Sequence, residues 1–383
     1  MGKQERHAYL EAIRTRYRRA RKTGKTAILN EFCAVCGYHR KYALRLLRTS
    51  GKRSKPTGSK PGPASRYVTP ELLAALRTIW MASDQLCSKR LKAALPLWLP
   101  HYEASFKPLA VETRALLAAI SAASIDRLLK PLRATLGKKG LSGTKPGTLL
   151  KKHIPIQAGV WDVTQPGFIE ADTVAHCGDS LAGDFVWSLT MTDLCTGWTE
   201  CRATWNKGAT GVMTQIQAIQ QVLPFPVRGF DCDNGSEFLN WHLLRYFQNA
   251  AQPIKFTRSR PYHSNDNAHV EQKNWSCVRQ LFGYERLADA AMVALMNDVY
   301  ANEFSLLTNF FYPTLKLASK AREGSKWVRK HSKPVTPAQR LIDHPDMPQD
   351  IKEKLEVQTK TLNPFLIQKE IQRKLKDVFN LLR

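Results

Sequence analysis

Apolar side chains recur at helical spacing near the start of the chain and switch to alternation in its middle. In residues 5–21, Tyr9, Leu10, Ile13 and Tyr17 fall on one helical face with arginines around the rest. In TAILNEFCAVCGYHRKYALRLLR (26–48), Ile28, Leu29, Phe32 and Cys33 share the inner face of one helix; Gly37 turns the chain; Ala43, Leu44 and Leu47 face inward on the next. A small residue at Cys33, Gly37 four positions on and Ala43 beyond it fit a helix-turn-helix. After Trp161 the period falls from about 3.6 towards 2. GFIEADTVA (167–175), DFVWSLTMT (184–192) and TGWTECRAT (196–204) read as three strands joined by short turns. The helix ATGVMTQIQAIQQVL (209–223), the strand VRGFDCD (227–233), the helix SEFLNWHLLRYFQNA (236–250) and the strand PIKFTRS (253–259) follow, then a helix from about Ala268. The order β-β-β-α-β-α-β-α predicts a mixed five-stranded sheet with helices on its faces.

Two segments rich in Gly, Pro, Ser and Lys, GKRSKPTGSKPGPAS (51–65) and LGKKGLSGTKPGTLLKKH (136–153), read as flexible basic linkers. The expected fold is therefore multidomain: an all-α helix-turn-helix region over 1–50, a linker over 51–65 and a second helical region over 66–135. A linker over 136–160, an α/β core over 161–287 and a mainly helical, basic C-terminal region over 288–383 complete it. Thr69 is a fitting N-cap ahead of Pro70 and Glu71. AASIDRLLKPLR (122–133) again sets an apolar stripe beside Arg127, Lys130 and Arg133, which admits a second helix-turn-helix as readily as a plain helix.

Charge changes this picture most. The 383 residues carry a formal net charge of +26, which points to a polyanion, most simply nucleic acid. Residues 1–65 hold 17 Lys+Arg against 3 Asp+Glu, a net of +14, whereas residues 161–287 hold 10 against 13, a net of −3. Arg40, Lys41, Arg45 and Arg48, with His39, lie on the outer face of the second helix of the helix-turn-helix, suited to the major groove and its phosphates. No run of about eighteen apolar residues occurs and the first residues lack an apolar signal stretch, so an intracellular, cytoplasmic protein is expected. Eight cysteines in a chain this long do not make a disulfide scaffold. Cys33 and Cys36 with His39 and His7 could open a zinc site, but the close pair is not repeated, and burial of both thiols in a helical hairpin explains them as well.

The acidic middle concentrates carboxylates where their charges repel. Asp231, Asp233 and Glu237 crowd one strand-to-helix joint, and Asp172 lies in the first strand. Alternation puts Glu170 with Asp172 on one face and Asp231 with Asp233 on one face, so neighbouring first and fourth strands would bring Asp172 beside Asp233. Glu271, in the helix after the fifth strand, could reach the same place. Three converging carboxylates suit hard divalent cations: two Mg²⁺ or Mn²⁺ ions, about 4 Å apart, able to clamp both oxygens of an in-line phosphoryl transfer. Asn234 and Gly235 read as a tight turn with Gly235 free to take positive φ, Ser236 as a helix cap and Glu237 as a first-turn residue rather than a ligand.

GFIEADTVAHCG, FDCDNGSEF and TRSRPYHSNDNAHVEQKN resemble the catalytic core of the integrase-type DDE transposases, the group of retroviral integrases and many bacterial insertion-sequence transposases. The resemblance covers residues 160 to 287 and, in kind, the N-terminal helix-turn-helix. It implies an RNase H-like fold, with the catalytic and metal-binding triad falling on Asp172, Asp233 and Glu271. The last two are 38 apart, near the family's interval of about thirty-five. It further implies a two-metal DNA transposase acting on double-stranded element ends and target DNA, assembled on DNA as a dimer or higher oligomer in a bacterial cytoplasm. Lys255, Arg258, Arg260, His263 and Lys273 flank the site and are expected to position phosphates. His176 and Cys177 read as packing residues. The chain departs from the family in showing no small C-terminal β-barrel. Where retroviral relatives carry lysines one and two turns beyond their Glu, it has Asn274 and Trp275, then Val278 and Arg279. A domesticated DNA-binding regulator with an inactive core and a structure-selective nuclease are the alternative functions.

Overall fold

The computed structural model describes residues 2–48, 66–134, 164–233, 235–259, 273–323 and 326–382, which fall in two compact units, Met1–Ala64 and Ser65–Arg383. Both linkers, together with Asn234, Arg260, His263 and Glu271, lie outside the described residues.

In the first unit, α1 (Lys3–Arg19), α2 (Lys22–Cys36) and α3 (Arg40–Arg48) close around Leu10, Ile13, Tyr17, Ile28, Leu29, Phe32, Ala43 and Leu47. The turn between α2 and α3 rests on Gly37, whose φ of 67° is the left-handed cap that a side chain would strain. Cys36 is buried in this core, and Cys33 packs against it. Arg40, Lys41, Arg45 and Arg48 are exposed on α3, as its amphipathic pattern requires.

The second unit shares one hydrophobic core among a helical layer, a sheet and the C-terminal helices. The layer is α4 (Pro70–Ala82), α5 (Ser88–Ser105), α6 (Val111–Ala119) and α7 (Ala122–Ala134), with Thr69 capping α4 through the Leu72 amide. The sheet strands are β1 (Phe168–Ala175), β2 (Val186–Asp193), β3 (Thr199–Trp205), β4 (Gly229–Cys232) and β5 (Lys255–Arg258), in the order β3-β2-β1-β4-β5. β1 pairs antiparallel with β2 and parallel with β4, and β4 pairs parallel with β5, so the mixed sheet read from the sequence is present. Helix α8 (Ala209–Val222) links β3 to β4, and α9 (Trp241–Gln248) links β4 to β5.

One face of the sheet is apolar: Ile169, Ala171, Phe230 and Cys232 lie in the core with Phe238 and Phe247. The other face is polar yet also covered, by α10 (a π-helical turn Asn274–Arg279 running into Gln280–Phe282) and by α11 (Met292–Asp298, continued by π-helical turns Val299–Phe304 and Leu307–Phe311). All eight residues of β2 are buried, and its polar side chains are paired off: Ser188 Oγ lies 2.8 Å from His176 Nε2 and 2.9 Å from the Tyr300 hydroxyl. The open edge of β3 is closed by side-chain amides acting as a strand would. Asn309 accepts from the Thr199 amide (2.9 Å) and donates to its carbonyl (3.0 Å), and Asn297 does the same at Ala203 (2.7 and 3.0 Å). The basic stretch read among the C-terminal helices instead forms a two-stranded hairpin, β6 (Leu317–Glu323) with β7 (Lys326–His331). Helices α12 (Pro337–Ile342), α13 (Gln349–Thr361) and α14 (Pro364–Asn380) follow. Among the described residues no helix is long and apolar enough to cross a membrane.

His176 is fully buried against Phe282, and burial, aided by Arg279, holds its ring down to about 3. A base held neutral in the fold keeps its full stabilising effect above its unfolded value near 6.5 and loses it as the pH falls below that. Between pH 7 and 5 the loss amounts to about 2 kcal/mol. Asp233, held up by its surroundings, titrates in the opposite sense. The contribution is isolated by His176→Gln: its stability deficit against wild type in urea denaturation should be about 2 kcal/mol smaller at pH 5 than at pH 7. An unchanged deficit would mean that the folded protein protonates the ring.

Candidate active site

The β1–β4 register sets Glu170 opposite Asp231 and Ala171 opposite Cys232. The next residue along each strand is Asp172 and Asp233, so these two carboxylates leave adjacent parallel strands on the same face at the carboxyl end of β4. Strand ends of this kind are where sites form in sheets of this type. Asp172 is held in place by two hydrogen bonds, accepting from the Thr173 amide at 2.8 Å and from Asn274 Nδ2 at 2.5 Å. Asn274 stands one turn beyond the helix position predicted for Glu271, and its Oδ1 is buried without a hydrogen-bond partner. Asp233 accepts from the Gly235 amide at 2.8 Å. Desolvation, then the neighbouring charge of Glu237, push Asp233 up to about 6. The same carboxylates surround the Cys232 thiol, which burial and the charges of Asp233, Asp231, Glu237 and Asp172 push well above its usual range.

Three readings of this joint are corrected by the structure. The helix after β4 starts at Trp241, with Asn240 as its cap accepting from the Leu243 amide at 2.9 Å, so Ser236 is not its cap and Glu237 is not in its first turn. Glu237 is 4% exposed: Thr173 Oγ1 donates to its Oε1 at 2.8 Å, and Lys207 Nζ lies 3.7 Å from Oε2, which has no hydrogen-bond partner. Gly235 is not at positive φ. Its need is close approach, because a Cβ there would meet the Glu237 carboxyl at 2.5 Å. Gly235→Ala should therefore expel the Glu237 carboxylate and cost about 1–3 kcal/mol. In a double-mutant cycle with Glu237→Ala, the cost of the added methyl should largely vanish, since its obstacle is gone.

Of the basic residues expected to position phosphates, Lys255 is exposed at the start of β5. Arg258 is not: it is 6% exposed and registers beside Cys232. Lys273 turns its ammonium into the protein, towards the Gly197 carbonyl at 3.5 Å. Neither offers itself at an open surface. Among the described residues no group of three His, Cys, Asp or Glu side chains forms a metal site, and Glu271 lies outside them. Asp172 and Asp233 nonetheless fit a hard cation by chemistry: two oxygen donors held by hydrogen bonds, with Asp233 raised by desolvation and by the Glu237 carboxylate, which the Lys207 ammonium offsets only in part.

Over 338 residues the chain is 39% identical to the uncharacterized protein y4rM of Sinorhizobium fredii (strain NBRC 101917 / NGR234), covering 86% of this chain and 93% of that protein. The chain belongs to the y4rM family. No family model matches it. The match extends well beyond the sheet, since so large a share of the chain cannot be aligned on the sheet alone. Sequence reasoning missed Lys207, Thr173 and the placement of Glu237, since their contacts join positions far apart in the chain. Asn274 reads from the sequence only as a helix cap or a DNA-binding amide.

Proposed function

We propose that this protein is a DDE transposase of the integrase type, with an RNase H-like core, that cleaves and joins DNA at the Asp172–Asp233 site with Glu271 as third carboxylate. The observation that carries the reading is the pairing of β1 with β4, which sets the first two carboxylates of the motif side by side on neighbouring strands. The strand order, with the antiparallel hairpin strands on one side of β1 and the parallel strands on the other, supports the same core.

Bound Mg²⁺ or Mn²⁺, two ions per site, would supply the charge that activates an attacking oxygen and stabilises a leaving one. Asp172 and Asp233 would hold these ions with Glu271. Asn274 keeps the Asp172 carboxylate oriented through Nδ2, and the Gly235 amide does so for Asp233. In the first reaction a water oxygen bonds to phosphorus at the element's end and the P–O3′ bond breaks, freeing a 3′-OH. In the second that hydroxyl bonds to a target phosphorus as another P–O3′ bond breaks, so neither ATP nor a covalent enzyme intermediate is needed. Arg40, Lys41, Arg45 and Arg48 on α3 suit the element-end duplex, and two active sites acting on two ends call for a dimer or larger assembly on DNA. Arg258 is left out of the DNA interface because of its burial.

The deciding experiment is strand joining with labelled DNA from the flanks of the protein's own gene, with Mg²⁺ or Mn²⁺, comparing wild type with Glu271→Gln. Joined products from wild type alone are expected. Binding without cleavage by either protein would favour a DNA-binding regulator. For the α3 surface, Lys41→Gln with Arg45→Gln should lower the slope of log K against log salt by about 2, close to one for each phosphate no longer neutralised.

A further inference from the structure

Like charges collect a second time in this protein, and here they are positive. A cavity of about 410 Å³ lies among the α4–α5 turn, the β2–β3 turn, the start of α10 and the segment after α11, and is lined by Arg90, Lys273 and Lys316. Its size is that of a ligand pocket and far beyond one water. Each of the three cations donates to a backbone carbonyl instead of a carboxylate. Arg90 Nε bonds the Pro313 carbonyl at 2.6 Å, Lys273 Nζ the Gly197 carbonyl at 3.5 Å and Lys316 Nζ the Cys195 carbonyl. Arg340, just outside, likewise bonds the carbonyls of Thr196 and Thr314. Among the described residues none of the four has a carboxylate within ion-pair distance.

Two acids also line the cavity: both have hydrogen-bond partners of their own, and the charge of Asp193 is felt by Lys316 across more than ion-pair distance. Asp84 accepts from the Tyr312 hydroxyl at 2.5 Å and from Gln368 Nε2 at 3.3 Å. Asp193 accepts from the Gly167 amide at 2.8 Å and from the Thr196 amide and hydroxyl at 2.7 and 2.6 Å. One further group points to a missing partner: Thr308 is 3% exposed, lines the cavity, and its hydroxyl makes no hydrogen bond. Carbonyl dipoles soften the repulsion among buried cations without neutralising it, and an unbonded buried hydroxyl is a cost in itself. A single oxyanion would answer both.

We propose that this cavity binds a phosphate group, with Arg90, Lys273 and Lys316 supplying charge and Thr308 a hydrogen bond. Guanidinium and ammonium groups beside a hydroxyl are the usual partners of phosphate oxygens. The group is a free phosphate or phosphate monoester, or the 5′-phosphate of a DNA end. The cavity's chemistry does not depend on the carboxylate site working as a transposase.

The test is thermal unfolding and calorimetric titration of the full chain without divalent metal, using inorganic phosphate, a 5′-phosphorylated duplex and the same duplex with a 5′-hydroxyl. Inorganic phosphate should raise Tm by several degrees above chloride at equal ionic strength. Lys316→Gln and Arg90→Gln should abolish that increment, while Lys376→Gln, exposed on α14, should keep it. Thr308→Val is the variant that cannot fail merely by misfolding, since it replaces an unbonded hydroxyl by a methyl. It should weaken phosphate binding roughly tenfold, the worth of one hydrogen bond to a charged group. Preference for the 5′-phosphorylated over the 5′-hydroxyl duplex, lost in Lys316→Gln, would identify a DNA end as the source, and free phosphate acting alone would identify a small molecule. Equal shifts with chloride, or shifts that survive the Lys316, Arg90 and Thr308 substitutions, would overturn the proposal.

Discussion

Asp172→Asn and Asp233→Asn should each reduce strand joining by roughly a thousandfold or more while leaving the protein folded. A ligand oxygen that fixes a catalytic cation is worth several kcal/mol of transition-state stabilisation, and about 4 kcal/mol is already a thousandfold. The two variants should part company in stability. Asp233 is raised to about 6 by desolvation and by Glu237. An acid raised in the fold stabilises it least above that value, because at pH 7 the charge must be held against burial and a like neighbour. Asn keeps the oxygen that accepts from the Gly235 amide and removes the charge. Asp233→Asn should accordingly gain about 1–2 kcal/mol at pH 7 without metal, and the gain should disappear by pH 4, where Asp233 is already protonated. Mg²⁺ should raise the Tm of wild type and of neither variant. A variant that still joins strands would remove these carboxylates from the chemistry. An Asp233→Asn protein less stable than wild type at pH 7 would mean that the crowding is relieved by a partner.

The sheet and its two carboxylates are legible in the sequence because both rest on local patterns. Alternation in GFIEADTVA and VRGFDCD fixes which side chains share a face, and a parallel neighbour then brings Asp172 and Asp233 together with no further information. The joint that follows misleads because SEFLNW offers two caps. Ser236 stands in the better-known position after Asn-Gly, yet the chain passes it by and caps at Asn240, since Phe238 and Leu239 must first enter the core. Burial of Glu237 is not legible at all, for Thr173 and Lys207 come from other strands' ends. Basic residues mislead in the same way. Arg258 and Lys273 look solvated by type, but the first sits in a covered parallel strand and the second opens a helix laid across the sheet's polar face. The contacts that close the polar face of β2 are likewise long-range: Tyr300 of α11 bonds Ser188, and Asn297 and Asn309 pair with the edge strand.

Trp98→Ala should cost about 3–5 kcal/mol, the largest stability effect expected of a single substitution here. Trp98 is fully buried in α5, with its ring edge-on to Phe365 of α14 (centroids 5.1 Å apart) and to Phe311 at the end of α11 (6.1 Å). Its Nε1 donates to the Phe311 carbonyl at 3.2 Å. Truncation opens a cavity where three helices meet and also strands a buried carbonyl, so the loss exceeds that of purely apolar packing. Trp98→Phe keeps most of the volume and loses only the hydrogen bond and part of the ring, and should cost about half as much. Urea denaturation gives both numbers, and limited proteolysis should find α14 released first in the Ala variant. The consequence for function follows from a shared core. The strands that carry Asp172 and lead into Asp233 share that core with α5 and α14. Strand joining by Trp98→Ala should then fall with its folded fraction, while DNA binding by α3, in a separate compact unit, persists. A loss below 1 kcal/mol, or a C-terminal helix that detaches without disturbing the sheet, would show that α5 and α14 do not belong to the cooperative core.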